Sequence, residues 1–121
     1  MNFSIPIDPV PASRPRFTRS GHAYTAEPYR SFKDNLRELV AAQMVNTPVF
    51  DSPVVVDLFI TCPEPKTTKL SHPKPDVDNY AKAVLDAMNG IVFKDDSLVV
   101  DLRVRKRWGA SGEIKVSVKL D

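Results

Sequence analysis

With 121 residues, 17 basic against 15 acidic side chains and a pI near 8.8, the chain has the size of one domain, spanning 1–121. That length can bury a core, and the single cysteine, Cys62, cannot form an internal bridge, which argues against a disulfide scaffold and suits a reducing cytoplasm. No run is long and apolar enough to span a membrane, and no charged-then-apolar leader opens the chain, so the expectation is a soluble cytoplasmic protein without a membrane partner.

Phe3, Ile5 and Ile7 alternate along Asn2 to Ile7 and predict a short strand. Asp8 to Thr25 reads as a loop in which Pro9, Pro11 and Pro15 prevent regular pairing and stiffen the chain. From about Glu27 to Val45, Tyr29, Phe32, Leu36, Leu39 and Val40 recur at helical spacing, with Pro28 in the first turn and Asn46-Thr47-Pro48 as the stop. Val54, Val56, Leu58 and Ile60 alternate with Val55, Asp57, Phe59 and Thr61 in a second strand. Pro63 to Pro75 has no apolar period and is read as a loop.

A second helix is expected from about Asn79 to Met88, with Ala81, Val84, Leu85 and Met88 on its apolar stripe and Asn89-Gly90 as a left-handed stop. After Lys94-Asp95-Asp96, the residues Leu98, Val100, Leu102, Val104 and Trp108 share one strand face. Gly109-Ala110-Ser111-Gly112 reads as the turn of a hairpin whose return strand carries Ile114, Val116, Val118 and Leu120. The expected fold is a mixed α+β (α/β) domain with a sheet of about four strands and two main helices.

Charge is unevenly spread. Basic residues load the N-terminal third, the central loop and the penultimate strand, whereas Asp76, Asp78, Asp86, Asp95 and Asp96 gather between them. A local acidic cluster in a basic surround is what a metal-dependent enzyme acting on a polyanion needs; ordinary surface charge is the plain alternative. In an extended backbone Asp76 and Asp78 point to the same side, and Asp78 or Asn79 is a plausible helix N-cap. Two carboxylates about 5 Å apart repel by roughly 3 kcal/mol at an effective dielectric of about 20, a cost that a bound cation removes. Mg²⁺ takes hard oxygen ligands and keeps several waters, so two or three carboxylates suffice.

Lys82 lies one helical turn after Asp78 on the same face, where it could neutralise a phosphate, or alternatively form only an i, i+4 ion pair. Adjacent residues of an extended chain face opposite ways, so only one of Asp95 and Asp96 is expected at the metal, the other capping the turn or supporting the ligands from behind; a turn-only role for both is the alternative. Arg103, Arg105 and Arg107 alternate along the outward strand face as a ribbon that could follow a phosphate backbone, or equally a solvated sheet face. Arg14, Arg16 and Arg19 make a second basic arm, and Lys66, Lys69 and Lys74 load the central loop. His22 and His72 show no ligand spacing, and there is neither a nucleophile motif nor a glycine-rich phosphate loop, so no organic cofactor is expected.

These pieces together resemble a known family. Lys74-Pro75-Asp76-Val77-Asp78-Asn79-Tyr80-Ala81-Lys82, Leu85-Asp86-Ala87 and Lys94-Asp95-Asp96-Ser97-Leu98-Val99 look like the RusA-type Holliday junction resolvases. Pro9 to Arg16 and Tyr24-Thr25 also look like phage and prophage members, and the likeness covers essentially the whole chain. The resemblance implies a homodimer that nicks two strands of a four-way DNA junction symmetrically in recombination and repair. It also implies Asp76, Asp78 and Asp96 as ligands of Mg²⁺ (Mn²⁺ as the alternative) and Lys82 as the catalytic lysine. It selects Asp96 over Asp95 by analogy. Three rival expectations remain: a branched-DNA binding protein without catalysis, a metal-dependent nuclease acting on flaps, forks or RNA, and a non-enzymatic dimeric interaction protein.

Overall fold

The computed structural model describes residues 1–13, 16–24 and 26–121, and everything below concerns those residues. In chain order they form β1 (Asn2–Ile5), the two short strands β2 (Arg16–Phe17) and β3 (Ala23–Tyr24), α1 (Tyr29–Gln43), β4 (Val54–Pro63), α2 (Val77–Met88), a 3-10 turn (Asp96–Leu98), β5 (Val99–Gly109) and β6 (Glu113–Leu120). Two helices and a four-stranded mixed sheet of order β1-β6-β4-β5 give the expected mixed α+β class. No helix is long and apolar enough to cross a membrane.

The strand periodicities are realised as burial. Along β4, Val54, Val56, Leu58 and Ile60 are fully buried on the face that carries the helices, while Val55, Asp57, Phe59 and Thr61 turn to the helix-free face. Phe32, Leu36 and Val40 of α1, with Ala81, Val84, Ala87 and Met88 of α2, close over this face together with Ile114, Val116 and Val118 of β6. Each fully buried branched side chain contributes about 1.5–3 kcal/mol relative to exposure. Leu39, expected in the α1 stripe, is instead exposed. Arg37 of α1 donates Nη1 to the Asp86, Ala87 and Asn89 carbonyls at 3.3, 3.4 and 3.1 Å, which satisfies the open C-terminal end of α2 and ties the two helices.

The expected C-terminal hairpin is not formed. β5 and β6 are consecutive and joined by a tight connection, yet β4 lies between them, parallel to β5 and antiparallel to β6. β4 is buried, so its backbone groups need partners on both sides, and a β5–β6 hairpin would leave one edge of β4 unpaired. The link 109–112 therefore steps across the end of β4, about 10 Å of strand spacing. Its two glycines make the crossing possible: a Cβ at Gly109 would strike Thr61 Cγ2, and one at Gly112 would strike the side chain and Cα of Asp8. Parallel neighbours cannot be joined by a tight turn, so residues 64–98 supply the β4-to-β5 crossover, and α2 rides within it.

Three further expectations change. Val100 leaves the strand face because the ladder slips by one residue, Val54 pairing with Val99 and Val55 with Asp101, and Val100 is 55% exposed. Leu98 ends the 3-10 turn rather than beginning the strand. The segment Asp8 to Thr25 is not wholly loop, since Arg16 and Phe17 pair with Tyr24 and Ala23 around a turn with Gly21 at φ 86°. That pairing begins only after Pro15, the last proline of the segment.

Gly112→Ala is expected to destabilise the fold by about 1–3 kcal/mol, because the added methyl meets the backbone of Ile7 and Asp8 rather than a movable side chain. Denaturant unfolding measures the loss; an unchanged midpoint would contradict the crossing geometry.

Candidate active site

The chain bends through Lys74 and Pro75, then Asp76 is extended at φ −70° and ψ 147°, and α2 begins at Val77. The N-cap is therefore Asp76, not Asp78 or Asn79, and the Asp76 carboxylate accepts no capping hydrogen bond. Asp78 lies in the first helical turn, where its negative charge is favoured by the helix dipole, and its Oδ1 accepts from the Asn79 N–H at 3.0 Å.

Between α2 and the free edge of β5 lies an open depression of about 450 Å³. Val77, Ala81, Leu85, Leu102 and Val104 give its apolar floor; Asp78, Lys82, Asp86 and Asp96 are its polar lining. Asp78, Lys82 and Asp96 are thus brought together, whereas Asp76 does not line the depression. Asp95 and Asp96 separate by geometry. Asp95 caps the 3-10 turn, its Oδ2 accepting from the Ser97 N–H at 3.0 Å, and hydrogen bonding from Ser97 holds its carboxyl below the usual range. Asp96 is steadied through its own N–H, which donates to Asn89 Oδ1 at 3.1 Å, and it lines the depression, as Asp95 does not.

Lys82 pairs with Asp86, one turn further on, and not with Asp78: Nζ lies 3.1 Å from Asp86 Oδ2. The same carboxylate accepts from the Tyr29 hydroxyl at 2.9 Å, and burial, then Asp86, pushes that hydroxyl well above the ordinary tyrosine range. Asp86 appears in the sequence as one more acid of the cluster, and only the fold gives it a partner on α1.

No group of three His, Cys, Asp or Glu side chains is gathered into a ready metal cage among the described residues. The carboxylates of Asp76, Asp78 and Asp96 could still hold a hard divalent cation: all three are exposed, and none is in an ion pair with a described residue. Such a cation needs few protein ligands because it keeps waters.

The basic residues lie in several places. Arg103, Arg105 and Arg107 pair with Asp57, Phe59 and Thr61 and share their face, so the ribbon is on the side of the sheet away from the helices and the depression. Arg105 stacks over Phe59 at 5.0 Å and lies 3.7 Å from Asp57 Oδ1. Lys66, Lys69 and Lys74 are exposed on the crossover loop, and Arg19 on the β2–β3 turn. Arg14 and the Arg16 side chain fall outside the described residues. The arm they belong to leaves from beside α2, since the Ala12 N–H donates to the Asn79 carbonyl at 2.9 Å.

Lys106 is the residue that the charge pattern conceals. It follows Leu102 and Val104 on the helix-bearing face, and its Nζ donates to the Pro73 and Pro75 carbonyls at 2.8 and 2.7 Å. Trp108 Nε1 adds a bond to the Leu70 carbonyl at 3.0 Å, so β5 straps the crossover loop just ahead of Asp76. A lysine in an apolar register is the signal that could have revealed this. Lys106→Met is expected to cost about 1–3 kcal/mol in thermal unfolding, since two carbonyls lose a charged donor; an unchanged melting temperature would show the strap to be dispensable.

Two comparisons bear on what this site does. The family described as "Endodeoxyribonuclease RusA" matches residues 6–119. A relative named "Uncharacterized protein YqaN", from Bacillus subtilis (strain 168), is 34% identical over 136 aligned positions, covering 98% of this chain and 95% of its own. A match over nearly the whole length, with the acids and the lysine assembled at one depression, means that the chain belongs to the RusA endodeoxyribonuclease family.

Proposed function

We propose that the protein is a Mg²⁺-dependent endonuclease that resolves four-way DNA junctions by paired, symmetric nicks, in recombination and repair in the cytoplasm. The observation that carries this reading is the meeting of Asp78, Lys82 and Asp96 in one depression of a chain from an endodeoxyribonuclease family.

Asp76, Asp78 and Asp96 would hold Mg²⁺, or Mn²⁺ in its place, which when bound supplies a polarised water and shields the phosphate charge. The chain itself supplies the rest. The Lys82 ammonium, at the lip of the depression, offsets charge developing on the displaced oxygen. The apolar floor of Leu85, Leu102 and Val104 limits water to the reacting side. Arg14, Arg16, Arg19, Lys66, Lys69, Lys74, Arg103, Arg105 and Arg107 bind phosphates of the junction arms, fixing position without reading sequence.

The homodimer has physical support in β5. This eleven-residue strand ends the sheet and pairs only with β4, and its exposed flank carries Leu102 and Val100 at 40% and 55% exposure. Antiparallel pairing of two copies about a two-fold axis through Leu102 sets Asp101 of one copy opposite Arg103 of the other, twice. The edge would thus be complementary to itself in charge, and such pairing would put two depressions on one side of a continuous sheet. Two linked sites make the second nick effectively intramolecular.

A labelled synthetic junction should be nicked with Mg²⁺ and left intact with chelator. Asp78→Asn should cut at least about 10²-fold more slowly while binding the junction as well as or better than wild type. Intact junction under all conditions would favour a binding protein, and preferential cutting of flaps, forks, linear duplex or RNA would favour the other nuclease. Leu102→Asp should shift the protein from dimer to monomer in light scattering; a dimer that survives it would place the interface elsewhere.

A further inference from the structure

We infer that Asp86 is a positioning residue that, braced by Tyr29 from the neighbouring helix, aims the Lys82 ammonium at the phosphate to be cut. The inference rests on the nuclease reading above and extends it to a residue outside the metal-binding acids and the lysine.

A lysine on an open helix face has four rotatable bonds and spends much of its time in solvent. Lys82 is such a residue, its side chain 62% exposed, yet its Nζ is held 3.1 Å from Asp86 Oδ2 and 3.5 Å from Oδ1. Asp86 is not itself a loose surface acid. Its side chain is 28% exposed, and Oδ2 takes the Tyr29 hydroxyl at 2.9 Å. Tyr29 is buried at the start of α1, so the hydroxyl comes from a ring fixed in the core. The main chain of Asp86 is fixed as well, its carbonyl accepting from Arg37 at 3.3 Å. The carboxylate is thus immobilised from behind before it meets Lys82, which lines the same depression as Asp78 and Asp96. A simple i, i+4 pair would need neither the tyrosine nor the partial burial. Positioning of this kind acts on the rate and leaves binding alone, because a charge displaced by about 1 Å weakens transition-state contact far more than ground-state attraction.

Asp86→Asn keeps the shape and an acceptor for Tyr29 but removes the charge that holds Lys82. Under single-turnover conditions with Mg²⁺ and a labelled four-way junction, its cleavage rate should fall by about tenfold or more while junction affinity stays within about twofold of wild type. Tyr29→Phe, which keeps the carboxylate and loses only the brace, should fall in the same direction by a smaller factor, about two- to fivefold. Rates are compared at equal folded protein, checked by melting. An Asp86→Asn variant that cuts at the wild-type rate overturns the inference and leaves the nuclease reading intact. A variant that loses rate and affinity together overturns it too, since that marks a general structural role. A wild-type protein that cuts no DNA overturns the nuclease reading, and this inference with it.

Discussion

The whole arrangement depends on β4 having two neighbours. A ten-residue strand with one face under both helices cannot leave a row of backbone donors and acceptors unpaired, so β5 and β6 must take opposite sides of it. Parallel pairing with β5 then forces a long crossover, and the crossover lays α2 along the outer edge of the sheet. The depression with its acids and lysine exists only because α2 and β5 meet there. The strap from Lys106 and Trp108 belongs to the same logic, since the crossover returns over the strand it feeds and is fastened to it.

Much of this was legible in the sequence, and the misses have a common cause. Period-two alternation found β4 and the later strands, and period-3.6 stripes found both helices to within two residues or so at each end, because burial on one face imposes those periods. Partnering was not legible. Two alternating runs joined by Gly-Ala-Ser-Gly satisfy every local rule for a hairpin, and nothing local reports that a strand some fifty residues earlier will come between them. The slip at Val100 is hidden for the same reason, since a bulge is a property of a pair of strands.

The site followed a similar division. Asp78 and Lys82 were visible as one turn of helix, although the turn that holds Lys82 proved to be the next one, toward Asp86. Asp95 and Asp96 were inseparable by spacing and are separated by a single capping bond from Ser97. The three arginines of β5 share the outward, helix-free face that their alternation predicts, and that face lies opposite the depression. A duplex arm reaching both would have to pass around the edge of the sheet rather than lie across one surface.

The sheet order has a consequence for how the chain reaches this state. β6, later in the sequence than every other strand, lies inside the sheet, and among the described strands β1 hydrogen-bonds to it alone, with the Met1 amino group and carbonyl both bonded to Val118. During synthesis the first strand therefore has no sheet neighbour until β6 has been made, although Phe3 and Ile5 share a core with α1, and Ala12 further on bonds to the first turn of α2. A nascent chain therefore anchors its first strand in the sheet only when its last strand has been made.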